Sequence, residues 1–256
     1  RQRQMCIRDR DRAIYTAMGA ANAALNRQAV TANNLANAST NGFRAQIMAY
    51  RAVPVNGPSA ATRTLVAEST PYNDTTMGPV HQTDRDLDVA LPKDGWLAVQ
   101  LPDGGEGYTR DGNIEVDSEG TLRVRGLPLM GDGGPLTVPP QSQVTIGTDG
   151  TLSVLNAGDE AKALAPVGRI RMVNAQADTL HMGDDGLFHA NDNASAALPL
   201  DPNLRLMPGM LEGSNVSPVK TMVDMIATAR SFDMHMKIIS TVDDNEKSAN
   251  QLLTLG

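Results

Sequence analysis

Along residues 11–35 apolar side chains recur at Ile14, Met18, Ala21, Leu25, Ala32 and Leu35, at spacings of four and three, with only Gln28 breaking the row. That is the period of an amphipathic helix carrying a heptad seam. Asp11 supplies a capping carboxylate, and Asn37-Ala-Ser-Thr-Asn-Gly42 supplies turn formers where the pattern stops, so one helix of about seven turns is predicted. A second row, Met222, Met225, Ala229, Phe232, Met236, Ile239 and Val242, followed by Leu252 and Leu253 after a polar interval, predicts a helix over 218–253. Ser217-Pro218 suits its start, because proline at the first helical position forfeits no hydrogen bond. Each seam is narrow and lacks a local element to cover it, so the two helices are predicted to lie side by side.

Between them the pattern turns to short Val-, Ile- and Leu-rich runs separated by Gly, Pro, Asn and Asp, the signature of strands and tight turns. Candidate strands are 87–91, 96–101, 107–110, 113–116, 121–125, 144–148, 151–155 and 167–173. Asp-Gly pairs at 94–95, 103–104, 111–112, 132–133, 149–150 and 185–186 suit hairpins that need positive φ. Residues 50–79 bear proline and threonine without periodicity and read as connector. The expected fold class is α+β, with the N- and C-terminal helices paired as a coiled coil enclosing an antiparallel all-β middle domain. Its expected divisions are an extension 1–10, an N-terminal assembly helix 11–40, an extended connector 41–79, a β-rich middle domain 80–210 and a C-terminal assembly helix 211–256.

Composition sharpens this picture in three places. Aromatic residues make up only 3% of the 256, so the interior must be filled by aliphatic side chains and 13 methionines, which favours helix seams and thin sheets over a deep ligand cavity. A formal charge of −7 gives no general attraction to polyanions, so nucleic-acid binding is not expected. Residues 1–10, RQRQMCIRDR, hold four arginines against one aspartate and belong to neither helical seam nor sheet, so they read as a non-native or disordered extension. Cys6 lies within them, which leaves neither an internal disulfide nor a cysteine zinc site. No run has the length of a membrane span, and the start lacks the apolar stretch of a secretory signal, so membrane insertion is not expected and export would need another route.

Chemistry-bearing motifs are weak. His81, His181, His189 and His235 lack a zinc-binding spacing, and Asp84-Arg-Asp-Leu-Asp88 lacks the pattern of a calcium loop and reads as a solvated approach to a strand. Gly131-Asp-Gly-Gly134 lacks the Lys and Ser/Thr of a phosphate-binding loop, and no serine sits in G-x-S-x-G. Asp243, Asp244 and Glu246 read as the wet face of a helix. Trp96 reads as a core anchor, with sugar stacking as the alternative that a secreted glycan-binding or cell-wall enzyme would need. No catalytic group, cofactor or metal is therefore expected.

Thr31-Ala-Asn-Asn-Leu-Ala-Asn-Ala-Ser-Thr-Asn-Gly-Phe-Arg44 resembles the signature of flagellar rod and hook proteins, an Asn-rich helix end running into a Thr-x-Gly-[FY]-[KR] corner. The resemblance continues through Leu87-Asp-Val-Ala-Leu91 with Asp94-Gly-Trp96, Gly107-Tyr-Thr-Arg-Asp-Gly112 and Gly120-Thr-Leu122, and reaches Leu211-Glu-Gly-Ser-Asn-Val216 with Met222-Val-Asp-Met-Ile226, Arg230, Phe232 and Lys237. It covers residues 11–256 in order, and the opening Asp11-Arg-Ala-Ile-Tyr-Thr-Ala-Met-Gly19 is most similar to the proximal-rod branch, with the distal-rod branch second. The resemblance implies a non-enzymatic rod subunit in the periplasm-spanning basal body, exported by the flagellar type III apparatus without a cleaved signal. Its partners would be other rod proteins and copies of itself. The expected assembly residues are Ile14, Met18, Leu25, Asn33, Asn34, Leu35, Asn37, Gly42, Phe43, Met222, Met225, Ile226, Phe232, Met236 and Ile239.

Overall fold

The structure is a computed structural model that describes residues 2–54, 64–68, 72–92, 94–140, 142–155, 165–176, 179–191 and 198–254. Outside that description lie Arg1, the side chains up to Ala13 and those of Leu252 and Leu253, and residues 55–63 and 69–71 of the expected connector. The chain divides into a helical unit, residues 1–36, 46–72 and 217–256, and a β unit, residues 37–45 and 73–216.

In the helical unit, α1 (Gln2–Ala36) and α2 (Pro218–Thr254) pack against each other. The first bond of α2 runs from Thr221 N to Ser217 O at 3.0 Å, directly after the proline that opens the helix. Strands Tyr50–Pro54 and Thr64–Glu68 pair antiparallel, with Ala52 opposite Val66. This pair packs on α1: the Tyr50 hydroxyl donates to Ala23 O at 3.3 Å, and the Arg27 guanidinium lies 5.1 Å from the Tyr50 ring centre.

The β unit is a set of small antiparallel sheets. Its largest has five strands in the order Met172–Asn174, Gly95–Gln100, Glu106–Thr109, Phe188–Ala190 and Leu180–Met182. Two three-stranded sheets, one of Ile114–Val116, Leu122–Val124 and Leu127–Pro128, the other of Gln143–Ile146, Thr151–Leu155 and Ala165–Arg169, accompany several two-stranded pairs. An aliphatic cluster that includes Leu97, Leu122, Leu129, Leu152 and Ile170 forms the main core. A second cluster gathers Trp96, Tyr108, Val173 and Phe188. Of the Asp-Gly turns, Gly104, Gly150 and Gly186 take the left-handed backbone, whereas Gly95, Gly112 and Gly133 do not.

The expected fold class therefore needs correcting. The chain is not a single all-β domain joined by a plain connector to an enclosing coiled coil: the strand pair Tyr50–Pro54 and Thr64–Glu68, inside the expected connector 41–79, belongs to the helical unit, and the β unit is built of several separate sheets. The helix pair is not sealed by the heptad row that suggested a coiled coil either. On α1 the covered positions are Ala17, Ala21, Ala24 and Thr31, with Ile14, Gln28 and Leu35 half-buried. On α2 they are Thr221 and Thr228, with Met225, Phe232, His235, Ile239 and Val242 half-buried. Each inward strip is thus turned by one residue at every second contact: 17, 24 and 31 replace 18, 25 and 32, and 221, 228 and 235 replace 222, 229 and 236.

Two physical reasons select the smaller strip. Alanine allows close backbone approach, and each threonine hydroxyl is satisfied within its own helix before it is buried. Thr31 donates to Arg27 O at 2.7 Å, Thr221 to Ser217 O at 2.8 Å and Thr228 to Asp224 O at 2.8 Å.

Candidate assembly interface and its anchors

With the small residues turned inward, the large apolar side chains remain outside. Met18 is 47% exposed, Leu25 49%, Met222 51%, Ile226 55% and Met236 45%. Tyr15, Val219, Val223, Met234 and Ile238 are exposed as well. Of the expected apolar assembly residues on the helices, Met18, Leu25, Met222, Ile226 and Met236 stand open to solvent, while Ile14, Leu35, Met225, Phe232 and Ile239 are half-buried.

The asparagines divide differently. Asn34 holds the chain that returns along α1: its amide donates to Gln46 O and its oxygen accepts from Gln46 N, both at 2.8 Å, so one side chain satisfies a whole peptide as a neighbouring strand would. Asn33 is exposed, and Asn37 accepts from the Thr40 hydroxyl at 3.2 Å in the turn after α1.

Gly42 and Phe43 are buried in the β unit. Gly42 has φ +67°, and a Cβ there would lie 2.4 Å from the backbone carbon of Arg110, so glycine is required both by conformation and by space.

Beside Gly42 lies a buried charge cluster that the helical periodicities did not reveal. Arg110 donates from Nε and Nη2 to Glu212 Oε2 at 2.8 and 2.6 Å, and from its other donors to the carbonyls of Leu91, Pro92 and Gly95. Arg44 pairs with Glu212 Oε1 at 2.5 Å, and Gly78 N donates to the same oxygen at 2.9 Å. Burial pulls the Arg110 guanidinium below its ordinary pKa, and the Glu212 carboxylate opposes that pull. A carboxylate with this many donors holds its position without water. Glu212 and Arg44 were in view as parts of motifs, and the available signal was a lone acid in an otherwise small and apolar run, Leu211-Glu-Gly-Ser.

The residues weighed for other chemistry lie elsewhere. Trp96 is 3% exposed, donates to Ala175 O at 3.1 Å and packs with its ring centre 4.5 Å from that of Phe188, so its faces are not presented to a sugar. Residues 84–86 are exposed, but Asp88 is buried, accepting from the Thr83 hydroxyl at 2.8 Å and pairing with Arg85 at 3.0 Å. The solvated reading of that segment thus fails at its last residue. The enclosed space beside Arg44, Asp94 and Trp96 measures about 10 Å³, room for about one water. Among the described residues no group of three His, Cys, Asp or Glu could hold a metal ion, and no helix is long and apolar enough to cross a membrane.

Three family models match in chain order: flagella basal body rod protein over residues 14–44, flagellar hook protein FlgE/F/G D1 domain over 90–154, and flagellar basal body rod FlgEFG protein C-terminal over 207–252. The flagellar basal-body rod protein FlgF of Salmonella typhimurium is 58% identical over 249 residues, covering 96% of this chain and 99% of the relative. The chain belongs to the FlgF family of flagellar basal-body rod proteins. Its Escherichia coli relative FlgF is 57% identical over the same span, whereas FlgG of Bacillus subtilis is 29% identical over 84% of this chain. The rod-family match at 14–44 takes in the α1 strip, Asn34 and Gly42, and that at 207–252 takes in Glu212 and the α2 strip.

Proposed function

We propose that this rod-family chain assembles by burying the bulky outer strips of α1 and α2 against neighbouring subunits, and that it works in the proximal part of the rod. As a FlgF-family protein it is a structural subunit of the flagellar basal-body rod. The observation that carries the assembly reading is the exposure of Met18, Leu25, Met222 and Ile226 on helices whose inner strips are already covered. Water-exposed apolar area of this kind is removed on association, and contacts between unlike patches on successive subunits propagate helically. The partners are copies of the chain and other rod proteins, delivered through the flagellar export apparatus. The function is mechanical, transmitting torque in motility, and engages no catalytic residue, cofactor or metal.

Replacing Leu25 or Ile226 by aspartate tests this directly. Neither side chain is buried within the chain, so the stability of the isolated protein should change by less than about 0.5 kcal/mol. In the rod the unpaired carboxylate would be desolvated at a cost of about 3 kcal/mol or more, and assembly should fail. The measurement is incorporation into purified basal bodies beside a thermal melt of the isolated variant. Normal incorporation of both variants would remove the outer strips from the assembly mechanism.

A further inference from the structure

Residues 42–45 lie as a strap between two other segments of the β unit. Gly42 N donates to Glu212 O at 2.8 Å, Asn215 N to Phe43 O at 3.3 Å, and Asp74 N to Ala45 O at 2.7 Å. Asn215 ties all three segments together: its oxygen accepts from Ala45 N at 2.7 Å, and its amide donates to Asp74 O at 3.1 Å and Thr76 O at 3.0 Å. Arg44 projects from the strap to Glu212, whose second oxygen accepts from Arg110. Among the described residues, neither the aliphatic nor the aromatic core cluster takes in a residue of 42–45, 74–76 or 212–216. The hydrogen bonds and ion pair that hold the strap are thus made among these three segments and Arg110, and its one large apolar side chain, the buried Phe43, lies outside the two core clusters.

We propose that this strap is a lock: residues 42–45 dock through Arg44 and Gly42 and open as one cooperative piece with 74–76 and 212–216, loosening the end of the short pair Val80–Gln82 and Met210–Glu212, while the five-stranded and three-stranded sheets stay folded. Of the four points at which the chain passes between the two units, those after residues 45, 72 and 216 adjoin these segments. A piece bound by its own network and outside the core is the kind of unit that opens below the global unfolding free energy. Closing is steep because Arg44 must be desolvated to reach Glu212, and it gains from doing so only in the docked geometry.

The test is amide hydrogen exchange on the purified full chain, comparing the parent with Arg44→Met and Gly42→Ala. Arg44→Met removes the ion pair from the strap and leaves Arg110 on Glu212. Gly42→Ala attacks the same docking sterically, since its Cβ would stand 2.4 to 2.6 Å from the backbone of Arg110 and Asp111. Both variants should speed exchange on the order of 100-fold or more, together, at 42–45, 74–76 and 212–216. The strands Gly95–Gln100 and Thr151–Leu155 should exchange as in the parent. Faster exchange confined to 42–45, faster exchange spreading into those strands, or no change in Arg44→Met would each overturn the lock. The measurement uses the isolated chain, so its outcome does not depend on the assembly reading.

Discussion

In the β unit many large side chains are taken wholly out of water: Leu91, Leu97, Leu122, Leu129, Leu152 and Ile170 are all 0% exposed. In the helical unit the covered strip is alanine and threonine, while Met18, Leu25, Met222 and Ile226 stand between 47% and 55% exposed. The β unit also holds a buried carboxylate, Glu212, between two arginines, whereas the helices carry their charges at the surface, as Lys247 does beside Asp243 at 2.6 Å. The first arrangement closes a core within one chain. The second keeps two helices together through small contacts and reserves its larger apolar area for other subunits.

The largest effect that could break this comparison lies in the β core. Leu122→Ala removes a fully buried side chain and should cost about 2–5 kcal/mol, seen as a lower calorimetric midpoint for the β unit. A cost below about 1 kcal/mol would mean that this core is loosely filled, and the contrast with the helices would lapse.

A smaller effect sharpens which helix strip faces inward. Ala21→Leu should force the packed helix apart and cost about 1–3 kcal/mol in a urea titration followed by helical circular dichroism. Met18→Leu, three residues earlier on the outer strip, should stay within about 0.5 kcal/mol of the parent. Equal costs at the two positions would mean that neither strip is packed more closely than the other, and reversed costs that the inner and outer strips have been exchanged.

The smallest effect concerns burial of charge in the β unit. Burial holds the Asp111 carboxyl above its ordinary value, against the bond it accepts from Asn113 N at 3.0 Å. A folded pKa raised above the unfolded one favours folding fully below about pH 3.9, and that contribution is lost as pH rises through the raised folded value. Asp111→Asn keeps an acceptor for Asn113 and lacks the ionisation. It should therefore be more stable than the parent at pH 7, by no more than about 1 kcal/mol, with the difference shrinking as pH falls through the aspartate range. Melting temperatures of both proteins across that range decide it, and a gain that grows toward acid would reverse the sign.

Two long helices toward the ends, the opening of α2 at Ser217-Pro218 and strands over much of what lies between were all readable from the residues alone. These features rest on residues a few positions apart, whose period and turn chemistry act locally. The Asn-rich corner stood out only by its resemblance to rod and hook proteins, since by local chemistry residues 31–44 read equally as a polar helix end; the positive φ that demands glycine at 42 came with the structure. Tertiary structure alone decided which of two adjacent strips each helix turns inward. Hydrophobicity ranks methionine and leucine above alanine and threonine, but close approach between packed elements rewards small volume and hydroxyls already bonded to their own helix. It also decided that the strands Tyr50–Pro54 and Thr64–Glu68 join the helical unit, since their place rests on Tyr50 reaching α1 rather than on any pattern within them. The knot of Arg44, Arg110 and Glu212 lay furthest from view. Arg110 and Glu212 are 102 residues apart, and an ion pair carries no period; only the folded chain shows that three charges share one dry site.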